Sequence, residues 1–358
     1  MSVSGGASPA PQPPAGEDPA RTGREAAPSE PVGAAHFGDR LAAAVAERES
    51  QIVLGIDPDP GKLWPDALEE QAESRARLVM ALADVERSAA LDRGDGTRAA
   101  RLDAAAAVLA HSLALIDAAG PACVAVKPQF ACFERLGFAG WLALEGTIAH
   151  AREEGLLVIA DAKRGDIAGS ALAYAQAVFG GSETPFGRAP GLHADAITAN
   201  PLLGRDALEP ILTAARKDGA GAFVLVRTSN PGAADLFDLE LQEGGPLWER
   251  LAGLVHAAGT PGHRSHLADV GAVTGATAPQ HLARMRELMP HTPFLLPGIG
   301  AQGGSVDQLA PAFAPGRAAG LVSASRSIAG AHESSGRPPA EAARAEAERL
   351  REQAWALA

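Results

Sequence analysis

The sequence predicts a (β/α)8 barrel with a disordered N-terminal tail and a helical insertion after the first strand. Three observations carry that expectation. Eight short apolar runs of strand length recur between residues 51 and 323, most of them separated by Ala-, Leu- and Glu-rich helical stretches. The runs are continuous rather than alternating, as suits strands buried on both faces of a parallel sheet. No GxGxxG follows the first run, which weakens the competing open, doubly wound sheet.

Residues 1–35 are rich in Pro, Ala, Gly, Ser and Glu and nearly devoid of large apolar side chains. Such a segment cannot offset its ordering entropy and is expected to be disordered. That leaves 36–358 as a single barrel domain. A short helix is expected over 39–49, capped by Asp39. The first strand follows at 51–56, and then an unusually long unit with two helical stretches, 68–90 and 98–119, joined by a polar segment at 92–97. The next strands are placed at 122–127, 156–161, 194–199, 222–226, 269–273, 293–296 and 320–323. Helices are expected at 139–154, 207–217, 279–288 and 305–312. The segments 179–191 and 239–261, rich in Gly, Pro and polar residues, read as long loops.

Composition narrows the function class. A net charge of −12 argues against nonspecific binding of nucleic acid, although a local site can still hold a small anion. Cys123 and Cys132 lack the spacing of a metal knuckle or redox motif. No run reaches the ~20 apolar residues of a membrane span, and no charged-then-apolar leader opens the chain. A cytoplasmic protein without a membrane partner is expected.

The most informative segment is the third strand and its exit, where Leu156–Ala160 runs into Asp161, Lys163 and Asp166. Side chains alternate along a strand, so Asp161 and Lys163 should project to one side, with Asp166 following after a turn at Gly165. Charges at the end of a buried strand are costly unless they serve a polar site. The chain has only four lysines, against 27 arginines, so a lysine kept at a strand end points to a compact, titratable ammonium. Barrel chemistry gathers at the C-terminal ends of the strands. Those ends here also carry Asp57, Lys127, Thr228 and Ser229. Asp57 precedes a proline, so by itself it reads equally as a turn former. After strand seven come Gly298, Gly300 and Gln302, and after strand eight Arg326. A glycine-rich loop beside an arginine in this position suits a phosphate. No His/Cys/carboxylate spacing suggests a transition metal, and carboxylates neutralised by lysines are poor ligands for Mg²⁺.

Together these residues resemble the orotidine 5′-phosphate decarboxylase family, in its longer bacterial form with a DAKRGDI segment. The resemblance spans about residues 37–330, through GIDPDP at 55–60, KPQ at 127–129, DAKRGDIxxS at 161–170, NPLLG at 200–204, RTSNPGA at 227–233, PGIGAQGG at 297–304 and SASR at 323–326. It implies a homodimeric barrel that converts orotidine 5′-monophosphate to UMP and CO₂ without metal or organic cofactor. It further implies that Lys163 protonates C6, Asp161 faces the substrate carboxylate, and Lys127 links Asp161 to the ribose. Asp166 would reach into the partner's site. Ser170 stands where many members have Thr, and it keeps the hydroxyl. Asp57 would bind ribose hydroxyls, Thr228 or Ser229 the pyrimidine amide edge, and Gln302 and Arg326 the phosphate beside Gly298 and Gly300. Two other readings remain at this stage: a Mg²⁺-dependent phosphosugar barrel of the 3-keto-gulonate-6-phosphate decarboxylase type, and a catalytically silent nucleotide-binding barrel.

Overall fold

The computed structural model describes residues 35–69, 71–82, 97–300 and 303–358. The tail at 1–34, most of the 92–97 segment and Gln302 lie outside the described residues. Eight parallel strands close on one another: β1 (Ile52–Ile56), β2 (Ala125–Pro128), β3 (Leu157–Arg164), β6 (Ala196–Ala199), β7 (Gly221–Arg227), β8 (Val270–Thr274), β9 (Phe294–Pro297) and β10 (Gly320–Ala324). Two further strands, β4 (Ser182–Thr184) and β5 (Gly187–Ala189), form a separate antiparallel hairpin. The barrel predicted from eight apolar runs is therefore the fold.

Alternation along the strands divides the core in two. Val53, Ala125, Ile159, Ala196, Phe223, Leu225, Val273, Leu295 and Leu321 fill the barrel interior. Their chain neighbours, such as Ile52, Leu54, Val126, Val158, Ile197, Val224 and Leu296, pack outward under the helices. Both faces are apolar, and so the runs read as continuous. Helix Phe37–Arg48 closes the N-terminal end of the barrel with Phe37, Leu41 and Val45, and Phe37 meets Phe223 edge-on at 6.0 Å between centroids.

Several local expectations are corrected. Asp39 does not cap the first helix; His36 does, its side chain accepting from the Gly38 N–H. Asp39 lies inside the helix and accepts instead from the backbone of Arg264 and Ser265, a tertiary contact invisible in the local pattern. The presumed loop 239–261 contains helix Leu247–Ala258, which buries Trp248, Leu251, Ala252 and Val255 along one stripe. The presumed helix 305–312 is broken into 3-10 turns at Val306–Gln308 and Ala310–Phe313, where Pro311 cannot donate to an α-helical ladder. The loop at 179–191 contains the β4–β5 hairpin.

The insertion after β1 holds helices Pro65–Glu69, Gln71–Leu82 and Thr97–Ala119. The segment Ala99–Ala122 is long and apolar enough to cross a membrane, contrary to the reading that no run qualifies. Its apolarity has another cause: 72% of its most apolar window is buried in this structure, with Ala105, Val108 and Ile116 fully enclosed.

Candidate active site

The inner rows that fill the barrel continue into polar residues at its C-terminal end. Stepping by two along β1 leads from Val53 through Gly55 to Asp57. A Cβ on Gly55 would lie 1.8 Å from Ser325 Oγ, so the close approach of β1 to the exit of β10 requires glycine here. The β2 row runs from Ala125 to Lys127 and Gln129, and the β3 row from Ile159 to Asp161. The mouth they form is a cavity of about 390 Å³, lined among others by Asp57, Lys127, Asp161, Lys163, Thr228, Ser229, Gly298 and Arg326. That volume suits a small-molecule ligand.

At its centre is Asp161, 5% exposed, with four side-chain donors. Lys127 Nζ and Gln129 Nε2 donate to Oδ2 at 2.6 and 3.1 Å. Lys163 Nζ and Thr198 Oγ1 donate to Oδ1 at 2.5 and 2.9 Å. Burial alone would raise the Asp161 carboxyl, but Lys127 and Lys163 outweigh it and hold the group well below the usual carboxylate range. Burial would likewise lower Lys127, yet Asp161 and Asp57, the latter 4.0 Å from Nζ, push it above its ordinary value. Both charges are thus locked on. Lys163 differs, since its side chain is 45% exposed and faces the cavity.

Asp161 and Lys163 do meet, but not by plain alternation. The pairing of β3 with β6 shifts from Ala160 opposite Ile197 to Arg164 opposite Ala199. Within that bulge Lys163 takes φ 46°, a left-handed conformation that costs a non-glycine residue on the order of 1 kcal/mol. Its N–H donates to Thr198 Oγ1 at 2.8 Å.

Around this core the remaining predicted residues divide. Thr228 and Ser229 line the cavity, with Thr228 Oγ1 donating to Asn230 Oδ1 at 2.6 Å. Arg227 and Asp238 form a two-point ion pair, both contacts 2.8 Å, that fastens the segment carrying them. Gly298 lines the cavity at φ 105°. Gly300 does not: its N–H donates to Gly304 O at 3.1 Å and is not presented to the cavity. Arg326 lines the cavity and starts helix Arg326–Ala329. That helix is tied to the β1 loop by Trp64, whose Nε1 donates to Ala329 O at 2.9 Å while its backbone N–H donates to His111 Nδ1. Asp166 and Ser170 lie outside this cavity. Asp166 Oδ1 accepts from the Ile167 N–H at 2.8 Å, and Ser170 is exposed on helix Ala168–Val178.

Gln129, Thr198, Asn230, Ser323 and Ser325 also line the cavity and were not singled out as site residues. Gln129 was recoverable, standing two residues beyond Lys127 on the same strand face. Away from the site, folding brings Asp117, His150 and Glu154 together at the surface, a grouping no sequence spacing announced.

Comparison with known proteins places this geometry. Residues 77–345 match the family described as Orotidine 5′-phosphate decarboxylase / HUMPS. The chain is 41% identical over 305 residues to the orotidine 5′-phosphate decarboxylase of Rhodopirellula baltica, covering 83% of this chain and 89% of the relative. It is 40% identical over 294 residues to that of Haloarcula marismortui, covering 82% and 86%. Among solved structures, Leishmania donovani OMP decarboxylase superposes with a TM-score of 0.63 at 30% identity, covering 90% of this chain and 98% of that one. A closed barrel, a doubly clamped aspartate at its mouth and identity of this extent agree: the chain belongs to the orotidine 5′-phosphate decarboxylase / HUMPS family.

Proposed function

We propose that this chain decarboxylates orotidine 5′-monophosphate to UMP and CO₂, the last step in making UMP de novo, with residues 36–358 as one catalytic domain. The observation that carries the reading is the Asp161 carboxylate held between two ammonium groups, one buried and one facing the cavity. As the bond from C6 to the carboxylate breaks, its electron pair stays on C6 and CO₂ departs. Lys163 Nζ donates a proton to that carbon and is left as a neutral amine, to be reprotonated from solvent. Before that, its ammonium stabilises the growing charge. Asp161 faces the substrate carboxylate. Because its own pairing keeps it ionised, the two like charges repel until CO₂ leaves. Lys127 keeps Asp161 in place and reaches toward the ribose, whose hydroxyls Asp57 accepts.

Arg326, Gln302 and Gly298 take the phosphate, and Thr228 or Ser229 the amide edge of the pyrimidine. The active unit is a homodimer in which Asp166 and Ser170 complete the partner's site. Their position outside their own cavity supports this, as do the exposed apolar side chains of Ile167, Leu172, Leu202 and Leu203 beside them. The free thiols of Cys123 and Cys132 fit a reducing cytoplasm. The reaction takes no metal or organic cofactor. A Mg²⁺-dependent phosphosugar barrel needs spare acidic oxygens, whereas both oxygens of Asp161 already accept from an ammonium and a neutral donor.

The test is the ultraviolet absorbance of orotidine 5′-monophosphate mixed with the protein in excess EDTA. Loss of the orotate chromophore with formation of UMP is expected. Inactivity there, with turnover of 3-keto-gulonate-6-phosphate only when Mg²⁺ is added, would move the chain to the metal-dependent branch.

A further inference from the structure

We propose that Thr198 is a positioning residue for the decarboxylation, setting the Lys163 ammonium against C6 through a single hydroxyl shared by the Lys163 backbone and the Asp161 carboxylate. The inference rests on the decarboxylase reading above.

Between Ala160, opposite Ile197, and Arg164, opposite Ala199, β3 carries two more residues than β6. The backbone of that stretch cannot keep a regular ladder, and the Lys163 N–H would lack its strand partner. Thr198 stands on β6 at this point, 1% exposed, and its Oγ1 accepts from that N–H at 2.8 Å. The same oxygen donates its one proton to Asp161 Oδ1 at 2.9 Å, the oxygen that also receives Lys163 Nζ at 2.5 Å. A hydroxyl has one proton to give and lone pairs to receive with, so both bonds can be made together only in this polarity. The acceptor is an ionised carboxylate, because each of its oxygens also receives a lysine ammonium.

Thr198 therefore connects both ends of the lysine's position. It holds the backbone in its left-handed turn, at φ 46°, and it holds the carboxylate to which the ammonium returns. Among the neighbours of Asp161, Lys127 and Gln129 act only on the opposite oxygen, Oδ2. A side chain with half its area exposed, as Lys163 nearly has, needs such support to point repeatedly at one carbon. Val would fill the same space on an apolar strand, so the hydroxyl, not the volume, is what the position supplies.

The experiment compares the wild type with Thr198→Val, which keeps the shape and loses the hydroxyl, and Thr198→Ser, which keeps the hydroxyl. Three quantities are measured: kcat and KM for orotidine 5′-monophosphate, the Kd of UMP, and exchange of the UMP C6 proton with deuterated solvent by NMR. The exchange is the reverse of the protonation step, so it reports where Lys163 Nζ sits relative to C6. For the valine variant, kcat and the exchange rate should both fall about 10- to 100-fold, while KM and the UMP Kd change by less than about threefold. The serine variant should recover both rates to within about threefold of wild type. Equal losses in Val and Ser, or a valine variant with wild-type kcat and exchange, would overturn the inference. Should the valine variant fail to fold by circular dichroism, Thr198→Ala takes its place against Ser under the same criteria. A wild type that does not decarboxylate orotidine 5′-monophosphate at all overturns the functional reading and this inference with it. An active wild type indifferent to Thr198→Val overturns the inference alone.

Discussion

Lys127 and Lys163 grip opposite oxygens of one carboxylate, Lys127 Nζ on Asp161 Oδ2 at 2.6 Å and Lys163 Nζ on Oδ1 at 2.5 Å. Similar as the contacts are, their surroundings differ. Lys127 is 6% exposed, and the Lys163 side chain is 45% exposed. One lysine is therefore part of the folded core and the other is available to the substrate. Removing each should separate stability from chemistry. Lys127→Ala leaves a buried carboxylate short of its main partner and should lower the unfolding free energy by about 3–5 kcal/mol in urea titration. Lys163→Ala should cost less, on the order of 1 kcal/mol, because the Lys163 ammonium is half-exposed and water screens its end of the pair, while Lys127 stays on the buried carboxylate. Yet Lys163→Ala should lower kcat by at least about 10²- to 10⁴-fold, the range expected for a lost general acid. A Lys163→Ala enzyme that turns over normally would sink the mechanism.

His111 makes stability depend on pH. Burial first, and His332 second, lower its imidazole to about 4, and the ring accepts from the Trp64 N–H as a neutral base. Between pH 4 and the ordinary value of 6.5, the unfolded chain binds a proton that the folded chain refuses, so stability falls as pH drops through that window. The contribution should reach about 3 kcal/mol near pH 4. Urea unfolding at neutral pH and near pH 4.5, on wild type and His111→Gln, isolates it: the variant should show a shallower loss. Identical slopes for the two proteins would assign the acid sensitivity to other groups. Asp161 contributes in a separate, lower window. Its depressed carboxyl stabilises the fold above its unfolded value near 3.8, and that stabilisation is lost as pH falls further.

Arg326 should govern phosphate affinity. Loss of a charge-assisted contact at Arg326→Ala should raise KM for orotidine 5′-monophosphate and lower kcat/KM by about 10- to 100-fold. Weaker inhibition by inorganic phosphate should accompany it. An unchanged kcat/KM removes Arg326 from the site.

Shared sites predict complementation between two dead proteins. Asp166→Ala and Lys163→Ala should each be inactive alone. Mixed under conditions that exchange subunits, half the dimers are heterodimers, and each rebuilds one intact site. Activity should return to roughly one quarter of wild type, by the statistics of a two-fold dimer. No recovery, with exchange verified by native mass spectrometry, would place Asp166 outside the neighbouring site.

The charged part of the site was legible because charge at the end of an apolar strand is anomalous wherever it occurs. Lys127, Asp161 and Lys163 stood out on that ground, and all three meet around one carboxylate. Thr198 and Gln129 carried no such signal. A threonine on a β-strand is unremarkable by propensity, and it acquires meaning only from the bulge in the strand beside it. Helix Leu247–Ala258 was missed for a different reason. Gly244, Gly245 and Pro246 just before it read as loop, although Trp248, Leu251, Ala252 and Val255 have the spacing of a buried stripe.

By itself, then, the amino-acid sequence determined the number and parallel character of the barrel strands, the charged groups at their ends and the family they belong to. Those properties are written in neighbours along the chain, as runs, periods and anomalous charges. The tertiary structure alone decided the register of β3 against β6, the left-handed turn at Lys163 and the four donors around Asp161. Asp161 and Thr198 are separated by 37 positions in the chain. Their hydrogen bond exists because closing the barrel sets one strand beside another, and no local pattern encodes the register at which that happens.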